Sequence, residues 1–165
     1  MGSLSPLAKN HAVEAFNQIV DSLLDATRAS RTTLRLDWPQ WDVHVDGVIA
    51  EARRPNIPSL AENTSIKQRD AETVKWLERE RHVLVQEDCS TAKPAPPREL
   101  VELYGVRAQM LAPVVRNDRV IGWISVHDNT SSRRWTHADI SALTTAVTAV
   151  QNTLDKWGAA RRERP

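Results

Sequence analysis

The sequence predicts an α+β fold, in which helices from both ends of the chain cover an antiparallel sheet. Three observations lead to this class. A long segment near each end carries apolar residues at spacings of three and four, which is typical of amphipathic helices. Several segments between them alternate between apolar and polar residues with a period of two. Two of those segments are joined by Asn117-Asp118-Arg119, a short polar turn that suits an antiparallel hairpin.

Length and composition indicate one domain. The chain has 165 residues, and its 22 Lys+Arg against 21 Asp+Glu leave a formal charge of +1, which favours neither nucleic acid nor an anionic membrane as a partner. We expect a single domain over 1–165 with frayed ends at 1–6 and 159–165. No apolar run reaches the roughly 18–20 residues that cross a bilayer, and the start does not resemble a signal peptide. We therefore expect a cytoplasmic protein.

The first half of the chain is predicted to form a helix, two strands and a long loop. The helical stripe covers 7–29 and the first alternating strand covers 32–37. A second strand is expected over 43–52, antiparallel to the first. The following stretch, 53–69, has two prolines and no periodicity, with a short helix expected near 59–62. Loops of this length often cover a functional site.

The middle of the chain is predicted to continue with shorter elements. Asp70 is placed to cap a helix over 71–81, and a strand follows over 82–86. A loop with three prolines, 90–97, then leads to a short helix over 98–104. Gly105 would end that helix.

The last elements are a hairpin and a long helix. Strands are predicted over 108–116 and 120–127. Thr136 and Asp139 have the spacing of a capping box, which marks the start of the final helix. A heptad-like apolar face along this helix predicts packing against another helix, and we expect a homodimer formed through it. The face consists of Ile140, Leu143, Val147, Val150, Leu154 and Trp157.

The alternation in the 120–127 strand predicts where a ligand binds. One face is aliphatic, with Val120, Gly122, Ile124 and Val126, and should pack on the terminal helices because such groups need no hydrogen-bond partner. The other face combines Ile121 with an aromatic ring and polar groups, which under a long loop is typical of a small-molecule pocket. The alternative is a face open to water. The predicted ligand-binding residues are Arg35, Asp37, His44, Trp76, Gln109, Trp123, Ser125 and His127.

The run 110–139 resembles the closing section of GAF domains. A strand containing Pro113 is followed by a polar turn, an Ile121-Gly122 pair and a helix start with Trp135, Thr136 and Asp139. The likeness extends over about 7–157. It implies a GAF/PAS-like sheet of about six antiparallel strands, a ligand pocket on one face, and dimerisation through the terminal helices. The Asn-Lys-Phe-Asp-Glu motif of the cyclic-nucleotide-binding members is absent from the sequence.

These residues favour a sensory or regulatory module that binds an organic acid or an aromatic metabolite. Arg35 would pair with a carboxylate, Trp123 would stack on a ring, and the alternative for Arg35 is an ion pair with Asp37 or Asp46. The second hypothesis is a small enzyme, a hydrolase or lyase, with His127 as general base helped by Asp128 or Asp88. Adjacent strand residues point to opposite faces, so a pair of His127 and Asp128 needs the strand to have ended.

A third hypothesis is a dimerisation adaptor with an empty pocket. No phosphate-binding loop, HExxH pair or GxSxG elbow is present in the sequence. Cys89, the single cysteine, follows two carboxylates that should raise its pKa, so we expect it to be unreactive. We expect no cofactor, although a metal site built from His44, His127 and a carboxylate stays open as an alternative.

Overall fold

A five-stranded antiparallel sheet in the order β2-β1-β5-β4-β3 forms the centre of the computed structural model, which describes residues 6–63 and 66–159. The strands are β1 Arg31–Leu36, β2 Ala50–Arg53, β3 Leu84–Gln86, β4 Ala108–Arg116 and β5 Arg119–Asp128. The helices are α1 Pro6–Thr27, α2 Glu72–Glu80, α3 Arg98–Glu102 and α4 His137–Trp157. The described residues thus form an α+β fold with five strands instead of about six. Apart from Pro6, which starts α1, and Ala159, the predicted frayed ends lie outside the described residues.

The terminal helices α1 and α4 pack against each other and against one face of the sheet. Phe16 of α1 and Leu143, Val150 and Leu154 of α4 are buried in this core. The predicted dimer face is therefore largely used within the chain, because a heptad-like stripe packs equally well on a sheet and a neighbouring helix of its own domain. Only Ile140, Val147 and Trp157 of that face remain partly exposed.

The ends of two helices test the predicted caps. The capping box of α4 is confirmed, since Thr136 Oγ1 accepts from Asp139 N at 3.1 Å and Asp139 Oδ2 accepts from Thr136 N at 2.9 Å. The predicted Asp70 cap of α2 is wrong. Ala71 occupies the N-cap position without a side-chain hydrogen bond, and Asp70 ends a 3-10 turn over Gln68–Asp70. The structure shows that turn, and no helix near 59–62.

The second predicted strand begins seven residues later than the sequence suggests, at Ala50 instead of Val43. Residues 43–49 form turns and an isolated bridge to Trp38. Side chains in and just after β1 bind this backbone. Arg35 donates hydrogen bonds to the carbonyls of Val45 and Asp46, and Asp37 accepts one from the amide of Val45. The alternation Val-His-Val resembles a strand, but these contacts hold the segment in turns.

The two faces of β5 divide as predicted over most of its length. Gly122, Ile124 and Val126 face the terminal helices, and the opposite face carries Trp123, Ser125 and His127. The prediction is wrong at the start of the strand, where Val120 pairs with Val115 but Gly122 pairs with Val114. The extra residue, Ile121, forms a β-bulge, which reverses the predicted faces of these two residues. Val120 packs with Trp123 on the cavity side, and Ile121 packs on the helix side.

Gly122 allows β1 and β5 to approach closely. A Cβ at Gly122 would lie 2.1 Å from the carbonyl oxygen of Arg35 and 2.8 Å from Leu36 Cδ2. We expect Gly122→Ala to lower the free energy of unfolding by about 2–3 kcal/mol, because the obstructing atom is backbone. Urea unfolding measures this. Gly47→Ala is the control, since its Cβ would lie 3.7 Å from the nearest heavy atom, the His44 carbonyl oxygen; equal stability of the two variants would contradict the close approach.

Candidate functional site

The sheet face opposite the terminal helices encloses a small cavity of about 40 Å³. Strands β1, β4 and β5 supply its floor, and the loop after β2, helix α2 and the start of α3 supply its cover. Its lining comprises Thr33, Arg35, Leu60, Ile66, Gln68, Thr73, Val74, Pro97, Leu100, Gln109, Leu111, Trp123, Ser125 and His127. A cavity of this size has room for a few water molecules.

Strand register brings the polar floor residues together. In the antiparallel pairs, Thr33 lies opposite Ser125, Arg35 opposite Trp123, and Gln109 opposite His127. Directly opposite residues share one face of a sheet, so their side chains are neighbours. Trp123 is 1 % exposed and forms the apolar wall with Val74, Leu77 and Leu111.

Arg35 is buried in the floor without a carboxylate partner. Its Nη1 donates to the carbonyl oxygens of Val45 at 3.0 Å and Asp46 at 2.9 Å, and it forms no ion pair with any residue that the structure describes. Burial lowers the pKa of Arg35 to about 10, an effect that nearby Asp46 and Glu51 partly oppose. The group is therefore still cationic at neutral pH. The alternative for Arg35, an ion pair with Asp37 or Asp46, does not form; Asp46 accepts through its backbone carbonyl instead.

A second buried arginine, Arg31, supports His127 from behind the lining. Arg31 is fully buried, lies opposite His127 in the sheet, and places Nη1 3.0 Å from His127 Nδ1. Its Nε donates to the carbonyl of Pro58 at 3.1 Å. Sequence analysis missed Arg31, although it belongs to the same period-two phase as Thr33 and Arg35. Arg31 lies two residues before Thr33, so the period-two alternation, continued back by one step, would have included it.

His127 is held in its neutral form. Burial, followed by the charges of Arg31 and Arg35, lowers the pKa of His127 well below 6.5. A guanidinium offers only donors, so Nδ1 of His127 must accept and the ring proton must lie on Nε2. Nε2 makes no hydrogen bond with a described residue and is free to donate to a ligand.

The structure brings five of the eight predicted ligand-binding residues to the cavity: Arg35, Gln109, Trp123, Ser125 and His127. Within this group, Gln109 Nε2 donates to Gln86 Oε1 at 2.8 Å, which fixes the amide. The hydroxyl of Ser125 makes no hydrogen bond with a described residue. These side chains come from three strands, so the sheet itself positions them.

The other three predicted residues lie away from the cavity. Asp37 follows the end of β1 and forms an ion pair with Arg69. The side chain of His44 is 66 % exposed, because its segment forms turns and not a strand. Trp76 is half-buried on α2 and packs edge-to-face on His82, with ring centroids 4.8 Å apart. The structure gives these residues roles outside the cavity.

The residues of the enzyme hypothesis do not come together. Asp128 lies on the opposite face from His127, where its carboxylate accepts from the amide of Thr130 at 2.8 Å and from Arg133 Nη1 at 3.3 Å. Cys89 lies outside the cavity lining, and burial, with a smaller effect of Asp88, raises the pKa of its thiol to about 12. Over 6–63 and 66–159, no three histidine, cysteine or carboxylate side chains cluster as a metal site would require.

Hydrogen bonds hold the cover to β2 and to the segment 43–49. Glu51 accepts from the hydroxyl of Ser59 at 2.5 Å and from the amide of Leu60 at 2.8 Å. Asp46 Oδ1 accepts from the amide of Gln68 at 2.9 Å. Each such bond contributes about 0.5–1.5 kcal/mol, so the cover is held by a small number of modest interactions.

The GAF domain family matches residues 11–154 of the sequence. The chain belongs to the GAF domain family. No protein among the curated sequences matches it. The match spans most of both terminal helices and the whole sheet, so the cavity lies inside the matched region. Among the described helices, none has the length and apolarity to cross a membrane.

Solved GAF structures share the fold. The GAF domain of the cyanobacteriochrome TePixJ superposes with a TM-score of 0.72 and 18 % identity, covering 88 % of this chain and 90 % of that one. The chromophore-binding domain of the bacteriophytochrome RpBphP3 from R. palustris superposes with a TM-score of 0.68 and 18 % identity, covering 92 % of this chain and 61 % of that one. The far-red-absorbing dark state of JSC1_58120g3, with bound biliverdin, superposes with a TM-score of 0.64 and 13 % identity. The superposition covers 92 % of this chain and 99 % of that one. At these identities the likeness concerns the fold alone.

The buried neutral His127 should make stability depend on pH. Its pKa is lowered in the folded state, so below pH 6.5 the unfolded chain binds a proton that the folded chain does not. Its contribution is complete above pH 6.5 and falls by about 1.4 kcal/mol per pH unit as the pH decreases toward the folded-state pKa. Urea unfolding of wild type and His127→Gln between about pH 7 and 5 measures this. We expect the difference in stability between them to shift in favour of the variant at low pH; a constant difference would contradict the account.

Proposed function

We propose that this GAF domain is a sensory or regulatory module whose cavity binds a small organic acid, with an aromatic acid as the preferred type. The observation that carries the proposal is Arg35, a cationic side chain 6 % exposed that lines the cavity without a carboxylate partner in the described structure. Burying an unpaired charge is costly, and such groups usually serve a binding or catalytic role. A ligand carboxylate would compensate the charge.

The groups around Arg35 fit the same class of ligand. Arg35 Nε and Nη2 make no hydrogen bond with a described residue, so the guanidinium retains donors for a carboxylate. The Nε2–H of His127 and the hydroxyls of Thr33 and Ser125 add hydrogen-bonding capacity beside it. Trp123, directly opposite Arg35 in the sheet, offers an aromatic surface. Together these features favour an anionic head group attached to a flat apolar body.

The size of the cavity bears on how a ligand would enter. The cavity of about 40 Å³ is well below the roughly 300–1,000 Å³ of sites for drug-sized ligands. Binding therefore needs the cover to move, and its hydrogen bonds to Glu51 and Asp46 are the ones to break. A ligand that favours the open cover would shift its population, which is how we propose that binding becomes a signal.

A covalently attached bilin does not fit these residues, although one structural neighbour, JSC1_58120g3, holds bound biliverdin. The cavity is far too small for a tetrapyrrole, and Cys89, the single cysteine, lies outside its lining. The buried thiol of Cys89, with a pKa of about 12, would also be a poor nucleophile. We propose no function through such a group.

We further propose a cytoplasmic homodimer formed by the exposed sides of α1 and α4. These helices border a shallow groove of about 640 Å³ lined by small side chains such as Ala15, Ser22, Ala142 and Ala149. Small residues let a second helix pair approach closely. Of the predicted heptad face, Ile140, Val147 and Trp157 remain partly exposed, outside the lining of this groove.

The homodimer predicts a specific effect of charge in the groove. We expect sedimentation velocity to show a dimer for wild type and a monomer for Ala149→Arg, because an arginine would fill the groove and resist desolvation. Thr148→Arg, at the adjacent exposed position outside the groove lining, is the control and should stay dimeric. A monomeric wild type, or equal dissociation of both variants, would contradict the proposal.

The ligand class is tested with three molecules that share a ring and differ in charge: benzoate, benzamide and benzylamine. We expect only benzoate, of the three, to raise the melting temperature. At a concentration about 100 times its Kd, it should raise the free energy of unfolding by about 2.7 kcal/mol. Arg35→Met should weaken benzoate binding about tenfold or more, because it removes the charge-assisted hydrogen bonds. Arg98→Met, which removes an exposed arginine from α3, is the control and should bind normally. Stabilisation by benzylamine, or unchanged binding by Arg35→Met, would contradict the proposal.

A further inference from the structure

Arg31 of β1 contacts both β5 and the loop after β2 without lining the cavity. Its Nη1 lies 3.0 Å from His127 Nδ1, its Nε donates to the Pro58 carbonyl at 3.1 Å, and Nη2 donates to the same oxygen. Pro58 is two residues before Leu60, a residue of the cover that lines the cavity. The side chain is 0 % exposed. One guanidinium thus fixes both a floor residue and the loop above it.

The chemistry of guanidinium determines which His127 nitrogen carries the proton. Arginine has five N–H donors and no acceptor, so the nitrogen that faces Arg31 must offer a lone pair. A proton on Nδ1 would place two donors against each other at 3.0 Å. The neutral ring therefore carries its proton on Nε2, the atom that makes no hydrogen bond with a described residue.

We propose that Arg31 is a positioning residue that sets the ligand specificity: it holds His127 in the Nε2–H form, so that His127 donates to the ligand beside Arg35 and the site selects carboxylates. The inference rests on the proposed function for its ligand class. Without Arg31, His127 could expose a lone pair at Nε2, and the cavity would present an acceptor beside Arg35 that repels a carboxylate oxygen.

Arg53 offers a comparison within the same chain. It lies directly opposite Arg31 in the sheet and donates from Nη1 to the Ile57 carbonyl at 2.8 Å, one residue before the carbonyl that Arg31 binds. Arg53 forms no hydrogen bond with His127 and is exposed. Both arginines hold the loop, but only Arg31 contacts the histidine. Replacing each by methionine therefore separates loop anchoring from control of His127.

The tautomer is tested by long-range ¹H–¹⁵N correlation spectra of the histidine side chains, with His127→Gln assigning the signal. We expect wild type to show a protonated Nε2 and an unprotonated Nδ1 from about pH 8 to pH 5, because the ring stays neutral. Arg31→Met should move the signal toward a mixture of tautomers, whereas Arg53→Met should leave it unchanged. A protonated Nδ1 in wild type would overturn the inference, and so would an unchanged signal in Arg31→Met. The wild-type spectrum can therefore overturn the inference even if Arg31→Met does not fold.

Specificity is tested by benzoate binding to the same proteins. We expect Arg31→Met to weaken benzoate about tenfold, Arg53→Met to change it less than about threefold, and Arg31→Lys, which keeps one donor, to lie between them. Equal weakening by Arg31→Met and Arg53→Met would overturn the specificity role and assign Arg31 to loop anchoring. If Arg31→Met, but not Arg53→Met, shifts the tautomer and wild type does not bind benzoate, the proposed function fails while the assignment of the tautomer to Arg31 stands.

Discussion

Burying two guanidinium groups on one face of β1 is the constraint on which the rest of the structure depends. Arg31 and Arg35 need acceptors because a buried unpaired donor costs free energy. Those acceptors are carbonyl oxygens of Val45, Asp46 and Pro58, all in the loops around the cavity. The floor of the site therefore determines the position of its cover. This explains why the segment 43–49 and the loop after β2 have defined contacts without forming strands.

The sheet separates packing from binding by the alternation of its side chains. Gly122, Ile124 and Val126 pack on the terminal helices, and the residues between them carry the polar groups of the cavity. The helices can stabilise the domain without contacting a ligand, so the cavity face is free to vary. The bulge at Ile121 interrupts this alternation. It places Val120 on the cavity side, where it packs in the apolar cluster with Trp123.

The sequence predicted the fold where local patterns and tertiary packing agree. The β4–β5 hairpin and the capping box of α4 are confirmed, because turn chemistry and caps are local properties. The segment 43–49 was wrongly predicted as a strand, since it is held by the side chains of Arg35 and Asp37, which no local pattern reveals. Half of the predicted dimer face is buried within the chain for a similar reason, because a heptad-like stripe can pack on the same domain or on a partner. Arg31 was missed because the strand was started one residue too late.

The central claim is that ligands bind on the Trp/Ser/His face of β5. The most direct measurement is a benzoate titration followed in the indole N–H resonances of the tryptophans. We predict a shift at Trp123, which lines the cavity, and none at Trp38, Trp41 or Trp157, which pack on the side of the terminal helices. Shifts at Trp38, Trp41 or Trp157 with Trp123 unchanged would contradict the account, because they would place the ligand on the opposite face of the sheet.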